Sequence, residues 1–251
     1  MPVMRRIYLP DIVLFNTRMV LRGETGHYLS RVLRLRKGDR FRGFDGKGIE
    51  YFLRIENVRK DSVEAVVERK TVPDEKEEAV KIVFCPALTK SKVFEETIER
   101  VAEIGVHSII PVKSARSLVF FDGRDTTRKL ERWKRIVAEG CKVSGNSKVP
   151  GISEPVTLEQ AISEPAQYGF FFWEQATYPL HKAIAEVRMA AGLRIKVFIG
   201  PEGGFTEEEA EIARRGKLFI VTLGRSILRV ATAAVTALAV LNYEFSLKSE
   251  L

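Results

Sequence analysis

Two short segments hold residue types that could bind a ligand closely. Ile199-Gly200-Pro201-Glu202-Gly203-Gly204 sets glycines and a carboxylate side by side, and Leu223-Gly224-Arg225-Ser226-Ile227-Leu228-Arg229 follows downstream. A glycine backbone can approach a ligand because no Cβ intervenes. The first segment is not a phosphate loop. Neither G-x-x-x-x-G-K-[ST] nor G-x-G-x-x-G occurs, and Glu202 with the run Glu207-Glu208-Glu209 would repel a polyphosphate. A neutral or cationic ligand of the adenosine type suits it better, although spacing alone also allows a plain packing turn. His27, His107, His181, Cys85 and Cys141 do not stand at metal-ligand spacing, so we expect no metal and two reduced thiols.

The elements needed to position these segments follow from periodicity. Ile195 to Ile199 reads as a strand and Thr206 to Arg215 as a helix, opened by the capping box Thr206/Glu209. Leu218 to Leu223 is the next strand. The last helix, Val230 to Phe245, is apolar almost all round and must be buried, in the core or also at a subunit interface. Upstream, strands are expected over Lys81–Cys85, His107–Val112 and Tyr168–Trp173, and helices over Lys92–Ile104, Thr127–Val143 and Tyr178–Ala191. Such alternation implies a mostly parallel sheet covered on both faces, with ligands bound beyond the carboxyl ends of its strands. Two consecutive strand ends carrying glycine loops would then line one crevice.

The first 72 residues differ. Short strands such as Tyr51–Ile55 and Ser62–Val67, punctuated by Gly38, Gly43, Gly46 and Gly48, suggest a small β-barrel, and Thr71 to Glu78 reads as a linker. Net charge is +8, and residues 1–70 hold 16 Lys and Arg against 9 Asp and Glu. A basic N-terminal module on a nearly neutral body is a nucleic-acid pattern. Arg5, Arg6, Arg31, Arg34, Arg36, Lys37, Arg40 and Arg42 are its candidate phosphate contacts. No apolar run is long enough to span a membrane and no secretory signal is seen, so a cytoplasmic setting is expected.

Ile199-Gly200-Pro201-Glu202-Gly203-Gly204-Phe205, Leu223-Gly224, Ile227-Leu228-Arg229 and Thr232-Ala233 together resemble the RsmE family of the SPOUT methyltransferase superfamily. Glu103-Ile104-Gly105-Val106, Ile109-Ile110-Pro111 and Arg116-Ser117 are similar to that family's first SPOUT segment, and Tyr28 to Arg34 with Phe44-Asp45-Gly46 to its N-terminal barrel. The resemblance implies an S-adenosylmethionine-dependent methyltransferase acting on N3 of a uracil in 16S ribosomal RNA. It implies a PUA-like β-barrel over 1–72 that binds RNA, and a trefoil-knotted α/β domain over 73–251. It also implies a homodimer through the C-terminal helix. Ile199, Gly200, Pro201, Glu202, Gly203, Gly204, Leu223, Gly224, Ile227, Leu228 and Ala233 would then hold the cofactor. Arg116 and Lys148 would join the basic residues above on RNA. Arg229 would stabilise negative charge on the uracil oxygens. The chain departs from the family at Lys142-Val143, Asn146-Ser147-Lys148, Ser226 and Ala231, all on the substrate side. A SPOUT enzyme for another RNA site, and a non-catalytic RNA-binding or ribosome-assembly protein, are the alternative readings.

Overall fold

The computed structural model describes residues 4–10, 12–60, 62–72, 80–117 and 123–249. The chain divides into two compact units, one made of Met1–Asp74 with Cys141–Val149, the other of Glu75–Gly140 with Pro150–Leu251. Most of the expected linker, residues 73–78, lies outside the described residues.

In the first unit, strands β1 (Arg6–Tyr8), β2 (Arg18–Arg22), β3 (Arg40–Phe44), β4 (Glu50–Val58) and β5 (Ser62–Thr71) form one sheet in the order β1-β3-β4-β5-β2. Only the β1–β3 pair is parallel among these ladders. A short helix α1 (Gly23–His27) and a π-turn (Tyr28–Val32) connect β2 to β3. Strand β4 shows why a sheet forms: Tyr51, Leu53 and Ile55 point inward while Phe52 and Arg54 alternate with them. Ile7, Met19, Leu21, Phe41, Val63 and Ala65 enter the same core from the other four strands. Five strands feeding one core require the sheet to curl. Its other face carries arginine–glutamate pairs: Arg6 and Arg42 with Glu50, Arg18 and Arg54 with Glu56, Arg40 and Arg54 with Glu68, Arg59 with Glu64. Residues 141–149, expected within the 73–251 domain with the helix ending at Val143, group with this unit. The Arg6 guanidinium donates to the Cys141 carbonyl at 2.5 Å, and Lys148 bridges Gly46 and Lys47.

The second unit is built on a six-stranded parallel sheet. Its strands are β6 (Val80–Pro86), β7 (Ser108–Ile109), β9 (Gly151–Ile152), β11 (Tyr168–Phe172), β12 (Leu193–Ile199) and β13 (Phe219–Val221), in the order β13-β11-β12-β6-β7-β9. Continuous apolar runs such as Gly169–Phe172 and Val197–Ile199 are buried on both faces, as a parallel sheet requires. The helices are α2 (Ser91–Ile104), α3 (Gly123–Ser144), α4 (Leu158–Ser163), α5 (Leu180–Glu186), α6 (Glu207–Arg215) and α7 (Val230–Ser249).

Three details depart from expectation. The strand predicted over 107–112 is split at Pro111, which lacks the N–H a ladder needs. Beyond it β8 (Val112–Lys113) leaves the main sheet to pair with β10 (Val156–Thr157). Helix α5 stops at Glu186 instead of Ala191, because Val187 turns extended and is buried. Helix α4 was not anticipated, although its capping box, Thr157 with Gln160, is a readable start signal. Helix α7 buries Val230, Ala234, Ala237, Leu238, Leu241 and Phe245 on one stripe and leaves Val240 and Tyr243 exposed on another.

Candidate active site

Three neighbouring strands, β11, β12 and β13, end at the same edge of the sheet, and their following segments enclose a cavity of ≈ 300 Å³. That size suits a small organic ligand. Ile199, Gly200, Pro201, Glu202, Gly203 and Gly204 line it after β12. Leu223, Gly224, Ile227 and Leu228 line it after β13, and Ala233 reaches it from α7. The structure therefore brings the two glycine segments into one crevice at the carboxyl edge of a parallel sheet, where such folds bind ligands.

The loop after β12 is held from several sides. Gly204 has φ +69°, a conformation that L side chains resist, and its N–H donates to the Pro201 carbonyl at 2.9 Å. A Cβ at Gly200 would stand 3.1 Å from the Phe205 ring. Phe205 is buried and stacks on Phe171 with centroids 4.1 Å apart. The indole Nε1 of Trp173 donates to the Phe205 carbonyl at 3.2 Å. After β13, the Thr222 hydroxyl accepts from the Gly224 N–H at 3.2 Å and donates to the Gly224 carbonyl at 2.9 Å, closing a tight turn.

Two positions reach the loop unforeseen. Glu209 was read as the capping partner of Thr206 and as part of an acidic run, with no tie beyond its own helix. Its Oε2 does accept the Thr206 N–H at 2.8 Å, but its Oε1 accepts the Ala115 N–H at 2.8 Å, tying the 114–117 segment to the start of α6. Glu174, directly after β11, lines the cavity. The usable signal for Glu174 was its place, a carboxylate at the carboxyl end of a central parallel strand.

The predicted RNA contacts separate into groups. Arg31, Arg34, Arg36 and Lys37 are exposed along one turn of the first unit, and Arg5 reaches that turn by donating to the Leu33 carbonyl at 3.2 Å. Arg6 is committed to the fold: it pairs with Glu50 at 2.8 Å, lies 3.9 Å over the Phe44 ring, and its side chain is 8% exposed. Arg40 and Arg42 are ion-paired with Glu68 and Glu50. Lys148 is half-buried. Arg116 lies in the second unit, where its Nη1 donates to the Gly203 carbonyl at 2.6 Å, so it braces the glycine loop. Arg229 is exposed between the lining residues Leu228 and Val230, while Arg225 lines the cavity itself.

Comparison with known proteins agrees with this geometry. An RNA methyltransferase domain matches residues 76–242 and an RNA methyltransferase PUA domain matches residues 21–68. A ribosomal RNA small subunit methyltransferase E of Synechocystis is 31% identical over 86% of this chain and 70% of its own length. The chain belongs to the ribosomal RNA small subunit methyltransferase E family. The Neisseria gonorrhoeae member of this family, solved bound to S-adenosyl methionine, superposes with a TM-score of 0.84 at 28% identity over 96% of this chain and 97% of that one. A putative methyltransferase from Legionella pneumophila in complex with the same cofactor gives a TM-score of 0.86 at 27% identity over 96% and 97%. Membership of this family accounts for the mixed α/β architecture with its PUA-like N-terminal unit. Among the described residues no His/Cys/Asp/Glu group suited to a metal ion occurs, and no helix is long and apolar enough to cross a membrane.

Proposed function

We propose that this protein transfers a methyl group from S-adenosylmethionine to N3 of a uracil in 16S ribosomal RNA, working in the cytoplasm on the small subunit or its RNA. One observation carries the reading: three adjacent strand ends close a cavity whose floor is the Gly200–Gly204 loop. The cavity fits the cofactor on its own terms. Backbone at Gly200, Gly203 and Gly204 can come close to a ligand, and Ile199, Val221, Leu223 and Leu228 offer apolar surface to an adenine. Glu174 and Glu202 set two carboxylates against the single guanidinium of Arg225, which suits a molecule with a sulfonium and an ammonium.

When bound, S-adenosylmethionine supplies an already activated methyl group. The chain's own part is to align the acceptor nitrogen and keep water out. Arg229 is read as meeting negative charge that develops on the uracil oxygens; what supports this is its exposed position between the lining residues Leu228 and Val230. The target base must be unpaired or flipped to enter. Arg31, Arg34, Arg36, Lys37 and Arg5 are read as the phosphate contacts of the RNA-binding module over 1–72, and Lys148 as an adjoining contact. We further read the 73–251 domain as trefoil-knotted and the chain as a homodimer through α7, whose Val240 and Tyr243 lie exposed on an apolar stripe.

The test is incubation with small ribosomal subunits and S-adenosylmethionine, followed by mass mapping of the RNA. One N3-methylated uridine is expected. No methylation in any RNA would overturn the reading, and methylation elsewhere would redirect it to another site. Arg229→Ala should slow turnover and leave cofactor affinity unchanged; unaltered turnover would remove the role given to Arg229.

A further inference from the structure

The position of Glu174 at the cavity wall is set by the fold. The residue before it is fixed on three sides. The Trp173 N–H donates to the Val221 carbonyl at 3.1 Å, its Nε1 donates to the Phe205 carbonyl, and its own carbonyl accepts the Ala176 N–H at 3.1 Å. Glu174 therefore leaves the sheet in a set direction, and its side chain lies over the glycine loop. A Cβ built on Gly204 would stand 2.7 Å from Glu174 Oε2, so the carboxylate occupies the space that a side chain at 204 would need.

Three of the carboxylates on α6 are engaged elsewhere. Glu209 accepts two backbone N–H groups, and Glu207 and Glu211 pair with Arg214. Glu174 has no hydrogen bond or ion pair to any described residue. An ionised carboxylate only accepts hydrogen bonds and has room for several. Held over the loop at the wall of the cavity, it presents those acceptors to whatever the cavity holds.

We propose that Glu174 is a cofactor-binding residue whose carboxylate accepts hydrogen bonds from the O–H or N–H donors of S-adenosylmethionine, and that Gly204 is glycine partly to make room for it. This rests on the cofactor reading above. Such donors lie on the nucleoside, in its ribose diol and adenine amino group, and on the ammonium of the amino-acid tail, and the experiment separates nucleoside from tail.

Glu174→Gln and Glu174→Ala are compared with the wild type by titration calorimetry, using S-adenosylmethionine and 5′-methylthioadenosine, which keeps the ribose but lacks the amino-acid tail. Thermal melting checks the fold; should the alanine variant melt early, the glutamine variant carries the comparison. Both variants should bind S-adenosylmethionine at least about fivefold more weakly, as loss of a hydrogen bond to a charged group predicts. A parallel loss for 5′-methylthioadenosine assigns the carboxylate to the nucleoside, and wild-type affinity for it assigns the carboxylate to the ammonium. Binding of S-adenosylmethionine weakened by less than about fivefold in folded variants overturns the proposal. Failure of the wild type to bind S-adenosylmethionine would instead sink the cofactor reading itself.

Discussion

Replacing Glu209 by alanine removes a carboxylate that holds two parts of the chain at once. The side chain is 6% exposed, and each oxygen accepts one backbone N–H at 2.8 Å, from Ala115 and from Thr206. A hydrogen bond to a charged group contributes about 1.5–3 kcal/mol when its partner is otherwise left bare. Thr206 is half-buried and Ala115 exposed, so water can reach both donors and the lower half of that range applies to each. The summed cost is then about 3–4.5 kcal/mol. With a urea slope of about 3 kcal/mol per molar, the midpoint should fall by about 1–1.5 M. Glu209→Gln keeps one carbonyl oxygen but turns an amide N–H toward the second donor, so it should lose about half as much. The same change frees the 114–117 segment, and with it the Arg116 guanidinium that braces the Gly203 carbonyl, so cofactor affinity should fall alongside stability. Urea unfolding followed by fluorescence, with calorimetry on the folded variants, measures both. An alanine variant within about 0.5 kcal/mol of wild type, the range of an ordinary surface substitution, would refute the reasoning.

Other perturbations have equally definite outcomes. Gly204→Ala imposes an L side chain at φ +69°, costing about 1–2 kcal/mol, and drives its methyl against Glu174; melting should drop by several degrees, and Gly204→Ala with Glu174→Ala should recover part of the loss. Full wild-type stability in the single variant would contradict this. Lys196 is buried, and its ammonium donates to the carbonyls of Ala161, Ile162 and Glu164 at 3.0, 2.5 and 2.7 Å. Burial holds its pKa below the ordinary 10.5, so just below that pH the unfolded chain carries more protons than the native one, and stability from this residue rises with pH. The urea stability of wild type minus that of Lys196→Met should therefore grow on the alkaline side toward 10.5; a flat or falling difference would contradict it. Burial pushes the thiol of Cys85 up to about 12 and that of Cys141 up to about 11. Neither should react with a disulfide reagent in the native protein at pH 8, and both should react in denaturant. Rapid native reaction of either would count against its burial.

Local patterns made much of this molecule readable. The alternation of apolar strands and amphipathic helices from Lys81 onward marks a parallel sheet, and the glycine loops at 200–204 and 223–224 fall at its carboxyl edge because each directly follows a strand. Features that depend on distant partners were not readable. Nothing near Cys141 announces that its carbonyl meets Arg6, so the placement of 141–149 with the N-terminal unit stayed hidden. Glu209 signalled its capping role through Thr206, three residues away, but not its bond to Ala115 across the fold. Glu174 has no motif of its own. It matters because β11 lies beside both β12 and β13, which only the strand order reveals.

The arginine–glutamate pairs on the outer face of the N-terminal sheet bear on how tightly salt controls RNA binding. Association with a polyanion gains entropy from the ions it releases, and a guanidinium already neutralised by a neighbouring glutamate contributes little to that release. Arg6, Arg18, Arg40, Arg42, Arg54 and Arg59 are matched in this way by Glu50, Glu56, Glu64 and Glu68. Arg5 and the 31–37 turn are not, so they should dominate the slope of affinity against ionic strength. The number of arginines in this unit thus overstates its electrostatic grip, and a concentrated contact replaces a diffuse one.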